Sequence, residues 1–212
     1  MKTCVIFCAG GFDALAQPID GAYVIAADGG LAHTQALGLT PHAILGDFDS
    51  LGYVPAGARV FPVEKDDTDS MLAVRHGLAA GCRRFLIYGG LDGPRLDHTV
   101  ANLQTLQFLA DHGAEGYLIG DSIVTVVKNG SLFFPAVAEG LISVFCMGRD
   151  AQNVTIRGLQ YELANGTLTA GFPLGVSNHF VGKESQISVE IGSLLVIYNR
   201  NVGFPRREVE KC

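Results

Sequence analysis

The stretch ILGDFDS, residues 44–50, places two aspartates directly after a short apolar run, and this spacing can support metal chemistry. Asp47 and Asp49 are two positions apart, and such residues point the same way in an extended chain. Two carboxylates about 4 Å apart repel by roughly 4 kcal/mol at an effective dielectric near 20, so a cation between them would stabilise the pair. A solvated acidic turn explains the same residues, because Asp49 and Ser50 can cap a turn. Judged by itself, this stretch favours the turn.

Other acidic residues also follow apolar runs that are predicted to be strands. They are Asp28, Asp66, Asp67, Asp69 and Asp97. In an open parallel sheet, ligands bind beyond the carboxyl ends of the strands, so we expect these acids to meet along one edge. A helix start needs one capping residue, and three acids between positions 66 and 69 exceed that need. For Asp97, helix capping and ligand binding are both open and are compatible.

The residue types around these acids indicate magnesium rather than zinc. Carboxylate oxygens without neighbouring histidine or cysteine are typical of Mg²⁺ sites that also hold phosphates. The six histidines are scattered, and the five cysteines show no C-x-x-C spacing, as expected for packed thiols in a reducing compartment. The pattern therefore predicts phosphoryl chemistry with Mg²⁺ as cofactor. The two common phosphate-binding loops, the Walker motif and G-x-G-x-x-G, are absent from the sequence.

Alternating strands and helices are expected in the first half of the chain. Apolar runs predict strands at residues 4–9, 23–27, 43–45, 59–63, 84–88 and 116–119. Helices are predicted over residues 31–37, around 71–79 and around 97–110. The buried stripe of the third helix is expected to contain Val100, Leu103, Leu106, Gln107 and Ala110. This alternation predicts an α/β domain with a doubly wound, mostly parallel sheet.

The second half of the chain reads as antiparallel β structure. Asn129-Gly130 separates TVVK from SLFF, and Asn-Gly between strand-like runs is the strongest short hairpin signal. Asn165-Gly166 likewise separates LQYEL from TLTAG. Further β-rich runs occur at residues 141–147, 154–157, 186–191 and 194–198. We therefore predict a C-terminal antiparallel β-sandwich or partial barrel, with domains at residues 1–121 and 122–212.

Composition narrows the class of protein and its partners. The chain has 212 residues, of which 48% are hydrophobic and 17% charged, which favours a folded core over disorder. The net charge of -6 disfavours a nucleic-acid partner, because affinity for the phosphate backbone needs clustered basic residues. No apolar run approaches the roughly 18 residues of a membrane span, and the apolar run near the N-terminus is too short for a secretory signal. We expect a cytoplasmic protein without a membrane partner.

Five motifs taken together resemble those of the thiamine pyrophosphokinase family. They are ADGG at 27–30, LGDFDS at 45–50, KDDTDS at 65–70, GGLDGPRLDH at 89–98 and LGVSNHF at 174–180. The motifs follow the family order and span nearly the whole chain. The resemblance implies transfer of a diphosphoryl group from ATP to the thiamine hydroxyl, giving AMP and thiamine diphosphate. It also implies an ATP- and Mg²⁺-binding catalytic domain at 1–121, a thiamine-binding and dimerisation domain at 122–212, and a homodimer with active sites between subunits.

The resemblance also assigns roles to individual residues. The implied magnesium ligands are Asp47, Asp49 and Asp69, and Asp28 is implied to lie close to the transferred phosphates. These four aspartates are the expected catalytic residues, with Asp69 or Asp28 as the expected acceptor of the hydroxyl proton. The residues that match ATP-binding positions are Thr68, Gly90, Arg95 and Asp97. Ser177 and Asn178 match the pair that contacts the thiamine pyrimidine.

Two departures from the family pattern concern the thiamine pocket. The chain has no tryptophan, whereas some eukaryotic relatives stack thiamine on one, so Phe180 or another aromatic residue is expected to serve. His179 stands where many bacterial relatives have an acid, and its role is open. Two alternative functions also stay open: a related diphosphokinase that acts on another hydroxymethyl compound such as a pterin, and a non-catalytic nucleotide-binding regulator.

Overall fold

A computed structural model of the chain describes residues 1–49, 52–62 and 66–209. Outside the described residues lie Ser50 and Lys65, which belong to two of the motifs above, and Cys212. The end of the predicted strand at 59–63 also lies outside them. The chain forms two compact units, of which the first is Met1–Gly120 and the second begins at Asp121.

The first unit is an α/β fold whose strands and helices alternate along the chain. Its elements are β1 (Thr3–Phe7), β2 (Tyr23–Ala27), α1 (Leu31–Ala36), β3 (Ala43–Gly46), β4 (Arg59–Val60), α2 (Asp69–Ala79), β5 (Arg84–Tyr88), α3 (Leu96–Asp111) and β6 (Glu115–Ile119). All strand pairs are parallel, in the order β6-β5-β1-β2-β3-β4. The predicted mostly parallel sheet is therefore confirmed.

The strand order creates a switch point between β1 and β5. From β1 the chain adds β2, β3 and β4 on one side, and it then returns to place β5 and β6 on the other side of β1. At such a point the crossover connections leave in opposite directions, which opens a crevice beyond the carboxyl ends of the strands. The segments that follow β1, β2, β3 and β5 meet at this edge, and they include the predicted acids Asp28, Asp47 and Asp49.

Helix α3 buries two polar residues beside part of the stripe that the sequence predicts. The buried residues are Asn102, Thr105, Leu106 and Leu109, whereas Val100 is half exposed. Of the predicted stripe, Leu106 is buried and Leu103, Gln107 and Ala110 are half-buried, so the prediction is wrong only for Val100. Asn102 and Thr105 are polar, but hydrogen bonds satisfy both side chains, so they tolerate burial. No helix in the described part of the chain is long and apolar enough to cross a membrane.

The second unit is antiparallel, as predicted. Its strands are β7 (Ser122–Phe134), β8 (Leu141–Cys146), β9 (Ala151–Arg157), β10 (Leu163–Leu168), β11 (Gly175–His179), β12 (Ser185–Asn199) and β13 (Arg206–Val209). The long strands β7 and β12 pair along their lengths, and β9 joins the first part of β12 while β8 joins the last part. Phe134 and Tyr198 pack edge to face at 5.1 Å between ring centroids within this unit's core.

The two predicted Asn-Gly hairpins are wrong. Asn129 lies inside β7 with φ 44°, where the register between β7 and β12 shifts. Asn165 lies inside β10 with φ 50°, where the pairing of β10 with β9 also shifts. Asn-Gly marks a place where the backbone takes a positive φ, and a β-bulge uses that conformation as readily as a hairpin turn does. The runs TVVK and SLFF consequently belong to one strand, β7, whereas β10 begins only at Leu163, the last residue of LQYEL.

Candidate active site

A cleft of about 790 Å³ lies along the carboxyl edge of the parallel sheet in the first unit. The ends of β1, β2, β3 and β5 and the starts of α2 and α3 contribute to its wall. The sequence-predicted site residues that line this cleft are Asp28, Asp47, Asp49, Thr68, Asp69, Gly90 and Arg95. Residues from five separate segments of the chain therefore share one cavity.

Three aspartates in this cleft form a cluster that could hold a metal ion. One carboxylate oxygen from each of Asp28, Asp47 and Asp49 lies within 4.8 Å of the others. Asp28 and Asp47 are half-buried, and Asp49 is exposed. Asp69 lines the same cleft but is not a member of this cluster in the described part of the chain. The structure thus brings Asp28, rather than Asp69, together with the DFD pair.

Residues 47–49, the DFD segment, form a tight turn. The extended strand end that the spacing of Asp47 and Asp49 predicts does not form. Strand β3 ends at Gly46, and Phe48 adopts a left-handed backbone with φ 59°. The Phe48 side chain is 2% exposed, so its burial in the core compensates for this unusual conformation. The backbone N–H of Asp49 lies 3.4 Å from Oδ1 of Asp47, as in an Asx turn. The turn keeps both carboxylates at the cleft.

The charge of the cleft suits a divalent cation. Among the described residues, five aspartates and one arginine line it, and carboxylate oxygens are the ligands that Mg²⁺ prefers. That arginine, Arg95, donates from Nη2 to Oδ2 of Asp97 at 2.6 Å, and both side chains are exposed. This hydrogen bond lowers the pKa of the Asp97 carboxyl. Asp97 itself lies in the first turn of α3 and is not part of the cleft wall.

A hydrogen-bonded group of side chains borders the cleft at the start of α2. Thr68 caps this helix, and its Oγ1 accepts the backbone N–H of Met71 at 3.2 Å. Ser70 Oγ contacts Thr68 Oγ1 at 3.0 Å and donates to Oδ1 of Asn102 at 2.6 Å. Asn102 Nδ2 donates in turn to the carbonyl oxygen of Gly90 at 2.9 Å. Sequence reasoning missed Ser70 and Asn102, although Asn102 follows His98 by one helical turn.

Cys8 contributes a thiol to the cleft wall just after β1. It is buried, and burial together with the nearby Asp69 carboxylate raises its pKa to about 12. The thiol therefore stays protonated and packs as a small apolar group. Cys4 and Cys82 are fully buried as well, in line with the expected packed thiols, and Cys146 is half-buried.

The residues predicted to contact the thiamine ring lie in the second unit. Asn178 is 4% exposed, and its amide is used by Tyr161: Oδ1 accepts the Tyr161 N–H at 3.0 Å and Nδ2 donates to the Tyr161 carbonyl oxygen at 2.7 Å. Ser177 is exposed and has φ 59°. Phe180 is buried against Phe134, which leaves its face unsuited to stack on a ligand.

Exposed aromatic side chains near this segment in the chain are Tyr161 and Phe172, at 62% and 64%. Both were missed by sequence reasoning, because an exposed aromatic residue in a loop or bulged strand has no periodic signal. Tyr161 is tied to the Ser177-Asn178 segment through the two Asn178 hydrogen bonds described above. Asn178 therefore connects the Tyr161 backbone to the segment that contains the Ser177 hydroxyl.

Two family models match this chain. The model described as "Thiamin pyrophosphokinase, catalytic domain" matches residues 19–118, and the one described as "Thiamin pyrophosphokinase, vitamin B1 binding domain" matches residues 135–196. The first match contains all of the cleft acids, and the second contains Ser177 and Asn178. The two matches therefore cover the candidate residues of both units.

Individual proteins give the same likeness. The curated thiamine pyrophosphokinase of Bacillus subtilis (strain 168) is 27% identical over 191 residues, which are 82% of this chain and 85% of that protein. A crystal structure of the Bacillus subtilis thiamine pyrophosphokinase superposes with a TM-score of 0.80 at 25% identity and covers 93% of this chain and 99% of its own. A thiamin pyrophosphokinase from Candida albicans, at 14% identity, shares the fold with a TM-score of 0.75 over 93% of this chain and 88% of its own.

Proposed function

Because this chain belongs to the thiamine pyrophosphokinase family, we propose that it transfers the diphosphoryl group of ATP to the hydroxyl of thiamine, releasing AMP and thiamine diphosphate. The observation that carries this proposal is the cluster of Asp28, Asp47 and Asp49 beyond the carboxyl ends of parallel strands. Polyphosphate substrates with a divalent ion suit such an edge, because the ion offsets the repulsion between carboxylates and phosphates.

We assign Mg²⁺ to the three clustered aspartates. Asp28, Asp47 and Asp49 supply oxygen ligands, and Asp69, which faces the same cleft, is available to ligands bound there. When bound, Mg²⁺ would neutralise charge on the polyphosphate and favour departure of AMP. Asp28 has φ 47°, a conformation that aspartate tolerates better than most residues, and this backbone directs the chain from β2 into the cleft.

The chain's own groups would then position ATP. Thr68 caps the start of α2, whose N-terminal backbone N–H groups and dipole favour phosphate oxygens. Gly90 follows β5 and lines the cleft, and a side chain there would collide with Leu118. Arg95 offers a guanidinium that can exchange Asp97 for a phosphate, because both residues are exposed. Asp69 is our candidate for the acceptor of the thiamine hydroxyl proton.

The second unit supplies thiamine contacts in this proposal. Ser177 offers a hydroxyl for the pyrimidine, Asn178 holds the segment in place, and Tyr161 or Phe172 replaces the missing tryptophan as an aromatic surface. Residues 1–121 would then form the ATP- and Mg²⁺-binding domain, and residues 122–212 the thiamine-binding and dimerisation domain. It also includes a homodimer in the cytoplasm, as the family resemblance implies.

Identification of the nucleotide product tests the function. The chain would be incubated with ATP and Mg²⁺, and with thiamine, a hydroxymethylpterin or no acceptor in parallel reactions. We expect one AMP per thiamine diphosphate in the thiamine reaction and no AMP release in the other two. Release of ADP with thiamine monophosphate would contradict diphosphoryl transfer. AMP release with the pterin alone would instead make the chain a different diphosphokinase.

A further inference from the structure

Four hydrogen bonds lead from Met71 through Thr68, Ser70 and Asn102 to Gly90, and we call this series the relay. In each bond the earlier residue donates to the next one. Gly90 offers a carbonyl oxygen, so Asn102 must present its amide nitrogen there and its Oδ1 towards Ser70. The single hydroxyl proton of Ser70 goes to Asn102, so the hydrogen bond between Ser70 and Thr68 must use the proton of Thr68. Thr68 in turn accepts the Met71 N–H. Each donor in this relay therefore has a defined acceptor.

The relay connects two walls of the cleft that are distant along the chain. One end is the first turn of α2, which contains Thr68 and Asp69, and the other is the Gly90 backbone after β5. Asn102 is 7% exposed and lies 12 residues beyond Gly90 on α3, so it acts as a strut between the two walls. A Cβ on Gly90 would lie 3.3 Å from Asn102 Nδ2, which shows how closely the strut fits.

We propose that Asn102, acting through Ser70, is a positioning residue that sets the distance between the α2 start and the Gly90 backbone for binding the polyphosphate of ATP. This inference rests on the proposed function for the identity of the nucleotide. Hydrogen bonds arranged in one direction polarise one another, so loss of one weakens the whole relay. Removal of the Asn102 amide also leaves the buried Gly90 carbonyl without its donor, which is costly.

The direction of the relay limits what Thr68 can do. Its hydroxyl proton is committed to Ser70, so Thr68 cannot donate that proton to a phosphate oxygen while the relay is intact. In the described part of the cleft, the backbone N–H groups at the helix start and Arg95 remain available to phosphate oxygens. The role of Thr68 towards ATP is consequently to fix the helix start, and Ser70 and Asn102 share that role.

The test compares Asn102→Leu and Ser70→Ala with the unchanged chain. We expect the Kd of ATP with Mg²⁺, measured by titration calorimetry, and the KM for ATP to rise about tenfold in Asn102→Leu. The KM for thiamine should stay within about twofold in the same variant, because the strut lies in the nucleotide cleft. The double variant should bind ATP about as weakly as Asn102→Leu alone, since both changes break one relay.

Thr105→Val is the matched control, because Thr105 is buried on the same helix and its hydroxyl donates to the Ala101 carbonyl oxygen within α3. It should lower the urea midpoint without a change in the Kd of ATP.

Equal rises in the KM for ATP and thiamine, additive effects of the two substitutions, or an unchanged Kd in folded Asn102→Leu would each overturn the positioning role. If Asn102→Leu does not fold, the Kd of ATP in Ser70→Ala alone tests the positioning role, which an unchanged Kd would overturn. An unchanged chain that binds ATP but does not use thiamine would refute only the proposed function, whereas one that binds no ATP would refute both.

Discussion

Gly46 allows the end of β3 to approach Asp28 closely. A Cβ at this position would lie 3.1 Å from the Asp28 Cα and 3.2 Å from its Cβ, so one of the two segments would have to move by a few tenths of an ångström. Asp47 follows directly, and its carboxylate meets that of Asp28 in the cluster. The absence of a side chain at residue 46 therefore helps to determine the distance between the proposed metal ligands.

Gly46→Ala should weaken metal binding more than it weakens the fold. We expect the Mg²⁺ concentration for half-maximal activity to rise about threefold to tenfold, because Mg²⁺ demands near-ideal octahedral geometry and the shift would misplace its proposed ligands. Gly171→Ala is the control, since a Cβ at Gly171 meets nothing within 4 Å. An unchanged Mg²⁺ dependence in Gly46→Ala would show that the close approach is unimportant.

The sequence predicts that acids meet at the carboxyl edge of the sheet. It does not predict which of them lie close enough to share a metal ion. Each acid follows an apolar run, and a parallel sheet collects such positions at one edge. The left-handed Phe48 and the close contact at Gly46 bring Asp28 to the DFD turn, and neither feature has a periodic signal. Asn102 was missed for another reason: a polar residue on the buried face of a helix resembles an exposed one in an apolar pattern.

A bulge at Asn129 interrupts the pairing of the long strands β7 and β12. Asn129 takes φ 44°, and its Oδ1 accepts the backbone N–H of Gly192 on the partner strand at 3.0 Å. Asparagine tolerates this left-handed conformation better than most residues, and its side chain supplies an acceptor that the interrupted ladder lacks. The local signal of Asn-Gly was therefore correct about the backbone conformation and wrong about the element that uses it.

Replacement of Asn129 should separate the stabilisation by its side-chain hydrogen bond from its tolerance of the left-handed backbone. Asn129→Ala should lower the free energy of unfolding by about 1 to 3 kcal/mol, because it loses a hydrogen bond and leaves alanine at positive φ. Asn129→Asp keeps an acceptor and tolerates the conformation, so it should cost less than half as much. Urea denaturation of both variants measures the difference. Equal losses in the two variants would show that the side-chain hydrogen bond does not stabilise the bulge.

The two units differ in how far the sequence predicts them. Strand-helix alternation was sufficient for the parallel α/β unit, because each crossover helix leaves a clear periodic pattern. The order β6-β5-β1-β2-β3-β4, which produces the switch point and the cleft, depends on pairing between distant segments and needed the structure. In the second unit, strands β11 and β13 were not predicted, since short edge strands lack a strong alternation of apolar residues.

Turnover of Asp47→Asn and Asp49→Asn measures the central proposal most directly, namely that the acids of the cleft hold a divalent ion for diphosphoryl transfer. Both variants keep the shape of the side chain, so circular dichroism and the urea midpoint should match the unchanged chain. Asp13→Asn, at an exposed acid of the same unit, is the control and should retain full activity. We predict that AMP formation with thiamine falls by about a hundredfold or more in each DFD variant. Near-normal turnover in both folded variants would contradict the account.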